Sequence, residues 1–269
     1  MIPLHDNIPS RTTPIVNYVL IALCGIVFWA QLSADQSGKA SLIEQYGMIP
    51  QRVFHPDQPV IVKEPLEVQT PEGTQIAYRE RLAAPAPIAP WLTLVTCVFL
   101  HGGWLHLIGN LWFLHIFGDN VEDCLGHGRY LLFYLGCGLV ASLTHLLTNA
   151  GSMMPTVGAS GAIAGVMGAY FLLYPHAKVV SAIPILIFIQ IVVLPAPLFL
   201  GIWFLFQFLQ GTATVGSVES GGVAWWAHIG GFGAGFAIAA LMRLGGQCRP
   251  TVQTVRPNTD RILVPRRSY

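Results

Sequence analysis

A serine and a histidine stand where polar side chains are costly. Ser160 lies in Gly158-Ala159-Ser160-Gly161, at the head of one apolar run, and His228 lies in Ala227-His228-Ile229-Gly230-Gly231, at the head of another. A serine hydroxyl is a weak nucleophile until a base takes its proton, and an imidazole with an ordinary pKa of about 6.5 does so at neutral pH. A third apolar run opens with His106 and Asn110, spaced i and i+4 and so on one helical face. Their ring and amide N–H groups are donors that a developing oxyanion needs. The backbone amides of Ser160 and Gly161 add to them, because N–H groups in the first turn of a helix lack intrahelical partners. No Asp or Glu falls in the outer halves of these runs. The parts fit acyl transfer by a Ser160–His228 dyad rather than a triad, with no metal and no cofactor.

The elements that must hold these groups are membrane helices. The 269 residues are 53% hydrophobic and 10% charged, whereas a soluble domain carries about 25% charged residues. A net charge of +1 argues against a nucleic-acid partner. A span needs about 20 mostly apolar residues. The first candidate is Pro14 to Leu32, followed by a polar, Pro-rich stretch over residues 33–92. Within it, Pro59–Lys63 and Gln75–Tyr78 flank the turn-prone Pro71-Glu72-Gly73 and are compatible with a short hairpin. Further spans are expected at Trp104–Phe117, Tyr130–Leu147, Gly158–Tyr174, Ala196–Gln210 and Val223–Leu244. A polar turn is expected over Gly118–Asp123, and an interfacial or re-entrant piece after Val179. The fold class is therefore an all-α polytopic membrane protein with six spans and a long first extramembrane loop.

The expected domain layout is a cytoplasmic segment at residues 1–13, a membrane domain at 14–244 and a basic tail at 245–269. With an even number of spans both termini share one side. Arg11, Arg129, Lys178, Arg243 and the tail arginines mark that side as cytoplasmic by the positive-inside rule. Met1–Thr13 lacks the basic n-region and cleavage site of a signal peptide, so the first span is expected to stay. The five cysteines show no CxxC and no disulfide framework, and most lie in apolar segments as small packing residues.

Each polar residue also has a plain structural reading. Gly-Ala-Ser-Gly suits close helix packing, and a membrane histidine can simply bond a neighbouring helix. Gly231 and Gly235, a G-xxx-G after His228, read as packing residues that let the sixth helix approach the fourth. What separates the readings is that Ser160, His228, His106 and Asn110 all fall at one depth and on one side.

Together, His106-Leu-Ile-Gly-Asn110, Gly158-Ala-Ser-Gly161 and Ala227-His228-Ile-Gly-Gly231 resemble the signature of the rhomboid intramembrane serine proteases, over about Trp91 to Met242. The resemblance implies a six-helix bundle with a short central fourth helix. It implies Ser160 as nucleophile, His228 as general base, and His106 and Asn110 as oxyanion donors. The substrate class it implies is a single-pass transmembrane protein, cut near the outer face of the cell (inner) membrane, with the lipid bilayer as the medium. A cap over about Gly211–Gly222 and a gating fifth helix are also implied. The chain departs from some members in lacking a Trp-Arg pair in the first loop and in having Ala164 where they carry a Tyr under the histidine. The sequence is silent on oligomeric state.

The rival readings are weaker. A membrane zinc protease would need His-Glu-x-x-His, which is absent, and His101, His106 and His115 are out of helical phase. A hydrolase elbow needs G-x-S-x-G on a strand–helix turn, and the chain reads Gly158-Ala-Ser-Gly-Ala162. A non-catalytic scaffold or transporter would use His228, His145 and Gln207 as a polar path, but no inverted halves are visible.

Overall fold

The computed structural model describes residues 1–70, 73–185, 188–213, 223–248 and 250. Strand β1 (Ile2–Asp6) precedes helix α1 (Ile15–Gln36). Two short helices, α2 (Leu42–Tyr46) and α3 (Pro50–Phe54), lead to strands β2 (Ile61–Thr70) and β3 (Gly73–Leu82). A broken helical piece over Pro90–Phe99, with α4 (Thr93–Thr96) inside it, runs into α5 (Trp104–Leu125) after a bend of 77°. There follow α6 (His127–Thr148), α7 (Ser160–Leu173), β4 (Lys178–Ile185), β5 (Phe188–Pro195), α8 (Ala196–Ala213) and α9 (Trp225–Leu244).

Among the described residues, four helices (α1, α6, α8 and α9) are long and apolar enough to cross a bilayer alone, and α5 joined to the bent piece before it makes a fifth. The chain is a mostly helical, multi-pass membrane protein. Large apolar side chains such as Ile26, Trp29, Leu132 and Leu241 are exposed on the outside of the bundle, as lipid contact requires. Helix α7 differs from the rest. Its 14 residues reach about 21 Å, short of the ~30 Å hydrocarbon core. It is wrapped on every side, with Gly161, Ala162, Ala164, Gly165, Gly168 and Ala169 all buried. Small residues let its neighbours close on its backbone, and Ser160 begins it.

Three sequence expectations are corrected. Residues 118–123 form no turn, since α5 continues to Leu125. Their polarity holds the N-terminal segment instead. Asp119 accepts from Ser10 Oγ at 2.6 Å, Glu122 accepts the Val16 and Asn17 amides at 2.9 and 2.7 Å, and Asp123 takes Arg11 Nε at 2.9 Å. Lys178–Ile185 and Phe188–Pro195 pair as antiparallel strands, β4 with β5, rather than forming a re-entrant piece. β1 adds to it in the order β1-β4-β5. β1 also lies along α5, where Trp112 Nε1 donates to the Pro3 carbonyl at 2.6 Å. Finally, Cys124 and Cys248 form a disulfide, joining the end of α5 to the segment after α9. Cys24, Cys97 and Cys137 are buried and free.

The first loop builds the hairpin its sequence is compatible with. Every residue from Ile61 to Thr70 pairs with one from Leu82 to Gly73. Glu44 of α2 ties it down, taking Arg81 Nη2 at 2.6 Å and the Ala84 amide at 2.8 Å. Arg81, with Ala84 behind it, holds the Glu44 carboxyl below its usual range. The expected tail arginines and most of the expected cap, residues 214–222, lie outside the described residues.

Candidate active site

The distance between Ser160 and His228 is set by backbone contact between α7 and α9. A methyl group on Gly231 would strike the Gly161 carbonyl, and one on Gly235 would strike the Gly165 carbonyl. On the other side of the seam, a methyl on Gly168 would meet the Phe232 carbonyl. At these glycines no side chain separates the two helices, which stand at backbone contact, and the first turn of each lies at the same end. His228 Nε2 and Ser160 Oγ are then 2.7 Å apart, a hydrogen bond. His228 is buried.

The far side of the ring is also bonded. His228 Nδ1 lies 2.7 Å from Gln207 Oε1 on α8. An amide oxygen only accepts, so Nδ1 carries the hydrogen. Nε2 then bears the lone pair and accepts the Ser160 hydroxyl. Trp203, one turn before Gln207, places its ring 5.7 Å from the imidazole, and Trp225 stands edge-on at 6.3 Å. These contacts take the place of the Tyr that Ala164 replaces.

His106 is in the opposite state. The Gly102 amide donates to its Nδ1 at 3.3 Å, which leaves the hydrogen on Nε2. That nitrogen faces Gly158, where a Cβ would sit 2.7 Å from it. Gly158 has φ +129°, so both its backbone and the space beside it demand glycine. The ring is therefore seated against the turn that presents Ser160. His101 packs edge-on against it at 5.3 Å. The His101 backbone exchanges two hydrogen bonds with the Gln31 side chain of α1, at 3.0 and 3.1 Å.

Asn110 is buried, and its Nδ2 has no hydrogen-bond partner among the described residues. A buried donor without an acceptor costs about 1–3 kcal/mol, a cost that suits a group waiting for a ligand. The Ser160, Gly161 and Ala162 amides stand in the first turn of α7, before the first α7 bond, from the Ile163 amide to the Ala159 carbonyl.

Ser160, His228, His106 and Asn110 share one cavity of about 810 Å³. Ser160, His228, His106, Asn110, His145 and Asn149 form its polar lining, and Phe113, Ile163, Met167 and Trp203 its apolar wall. A cavity of that size, apolar with a few convergent polar groups, has the character of a substrate site. The four side chains expected from sequence to do chemistry meet here, and the fifth expected residue, Gly161, follows Ser160 in the first turn of α7. Gln207 and Trp203 do not stand out in the sequence as partners of the dyad. The available signal was a single glutamine inside an apolar run, spaced i+4 from a tryptophan.

Comparison with known proteins agrees with this geometry. The family model for the Rhomboid domain matches residues 89–244, more than half of the chain. A putative rhomboid protease of Bacillus subtilis, YdcA, is 38% identical over 80 residues, covering 30% of this chain and 40% of its own. The rhomboid protease GluP of the same organism is 42% identical over 79 residues, covering 29% and 15%. RHOMBOID-like protein 5 of Arabidopsis thaliana is 41% identical over 76 residues, covering 28% and 25%. The chain thus matches well under half of the length of these relatives.

Proposed function

Because the chain belongs to the rhomboid family, we propose that it is an intramembrane serine endopeptidase that cuts single-pass membrane proteins near the outer face. The observation that carries this reading is the 2.7 Å bond from Ser160 Oγ to an unprotonated His228 Nε2 inside a cavity at one end of the bundle. Ser160 Oγ attacks the scissile carbonyl carbon as its proton passes to Nε2. The oxyanion that forms is met by the Ser160 and Gly161 amides, by Asn110 Nδ2 and by the His106 Nε2–H. Collapse breaks the C–N bond, and His228 gives its proton to the leaving amine. Water then enters by the same route, His228 takes its proton, and the acyl–serine ester is hydrolysed to a carboxylic acid.

The distribution of charge supports the orientation. Arg11 bonds Asp123 near the end of α5, Arg129 reaches the Gln247 carbonyl, and Arg243 reaches the Leu172 carbonyl. These cations gather at the end of the bundle opposite Ser160, so that end is assigned to the cytoplasm and the site to the outer half of the membrane. The Cys124–Cys248 bond lies at the cationic end too, an uncommon place for a disulfide in a reducing cytosol; it is the observation that pulls the other way.

The reading is tested by expressing the chain in membranes with a tagged single-pass substrate. The wild type is expected to release a fragment, and Ser160→Ala and His228→Ala are each expected to abolish it at unchanged protein level. Cleavage that persists in Ser160→Ala would overturn the proposal.

A further inference from the structure

We infer that Gln207 is the positioning residue of the dyad, and that its side-chain carbonyl holds His228 in the only tautomer that can take the Ser160 proton. The inference rests on the serine-protease reading above and adds a third member to it.

A neutral imidazole has one N–H and one lone pair, and in water it prefers the hydrogen on Nε2. In that form a hydrogen, not a lone pair, would face Ser160, and the base would be silent. Something must hold the hydrogen on Nδ1. In serine hydrolases with a triad a carboxylate does so. Here the described residues place none against His228. The titratable groups that face it are His106 from α5 and His145 from α6. Ser160 is its only polar partner from α7 among the described residues, and α8 carries no titratable side chain. What α8 does offer is Gln207 Oε1, at 2.7 Å from Nδ1 and buried.

The bond does a second job. An imidazole bonded at one nitrogen can still turn about its Cβ–Cγ bond. Bonded at both, with Trp203 against it, the ring is fixed in plane and direction. Trp203 and Gln207 are one turn apart, so a single face of α8 supplies both restraints. An amide differs from a carboxylate in one respect that matters for rate. It fixes the tautomer but lends no negative charge to the imidazolium that forms after proton transfer.

Two substitutions separate positioning from mere packing. Gln207→Met keeps the volume and removes the acceptor. It is expected to lower kcat by roughly 10- to 100-fold, the scale of a misdirected general base, with KM within about threefold. Gln207→Glu keeps an acceptor and adds charge. It is expected to stay within a few-fold of wild type at pH 8. Its carboxylate favours the protonated ring, so the acid limb of its kcat/KM profile should move to higher pH by about one unit. Both are measured in detergent with a quenched peptide from a single-pass protein, beside Ser160→Ala and His228→Ala. Wild-type kcat in Gln207→Met would overturn the inference and leave the dyad standing. So would an equal loss in both Gln207 variants with no shift of the acid limb, because shape alone would then explain the residue. A wild type that fails to cleave, or a Ser160→Ala that cleaves, would overturn the dyad reading itself.

Discussion

Helix α9 has two neighbours that hold it in opposite ways. Against α7 its glycines meet backbone near the dyad: Gly231 and Gly235 meet the Gly161 and Gly165 carbonyls directly, and rings enter the seam only farther along, with Phe171 against Phe232 and Phe236. Against α8 it is held by large rings, with Phe204 on Phe232 at 4.5 Å and Trp203 on Phe232 at 6.4 Å. At these glycines the first seam has no rotamer to change, and it fixes the distance from Ser160 to His228. The second is made of side chains that can repack, and it carries the groups that orient the imidazole. Distance is thus assigned to the rigid contact and orientation to the adjustable one.

The sharpest break of this contrast is a side chain in the rigid seam. Gly235→Val should drive α7 and α9 apart at a cost of about 1–3 kcal/mol or more, and activity should vanish together with a fall in melting temperature in detergent. On the same helix, a methyl group added to Gly233 would meet nothing within 4 Å. Gly233→Ala should therefore melt no lower than wild type and keep its activity. Equal effects at the two positions would refute the seam as the element that sets the dyad.

A smaller effect is expected on the oxyanion side. Asn110 holds no structural bond through Nδ2 among the described residues. Asn110→Ala should lower kcat by about 100-fold, as loss of one oxyanion donor does, with the melting temperature unchanged. A loss of stability in proportion to the loss of rate would make Asn110 a packing residue instead.

The smallest effect lies farthest from the seams. Arg81 and the Ala84 amide hold the Glu44 carboxyl below its usual value of 4.5. A depressed carboxylate contributes stability that is complete above that value and fades as pH falls through the folded one. Proteolytic nicking within residues 61–82 should therefore be slow at pH 7 and rise as the pH falls below 4.5, and Arg81→Ala should nick faster already at pH 7 while the bundle melts as before. An unchanged nicking rate in Arg81→Ala would show that the hairpin does not depend on this ion pair.

The candidate site was legible because polar groups at membrane depth are costly, so Ser160, His228, His106 and Asn110 stand out from apolar runs without any structure. The glycine seam was legible for a related reason, as small residues at i and i+4 have little other use in a membrane helix. The β4–β5 hairpin was not. Its run of Val and Ile is as apolar as a membrane helix, and periodicity does not separate the two. The polar stretch at 118–123 read as a turn because its partners, Ser10, Arg11, Val16 and Asn17, lie about a hundred residues earlier in the chain. Cys124 and Cys248 are 124 residues apart with no spacing signal. Gln207 was visible as a residue but not as a partner, since the direction of its amide appears only when α8 is laid against α9.

The central claim is that His228 activates Ser160, and one measurement reaches it directly. The chain in detergent at neutral pH is treated with a fluorophosphonate, and the modified residue is mapped by mass spectrometry. A single adduct on Ser160 is predicted, absent in Ser160→Ala and slowed by at least ~100-fold in His228→Ala. Labelling of Ser160 at the wild-type rate in His228→Ala would contradict the account.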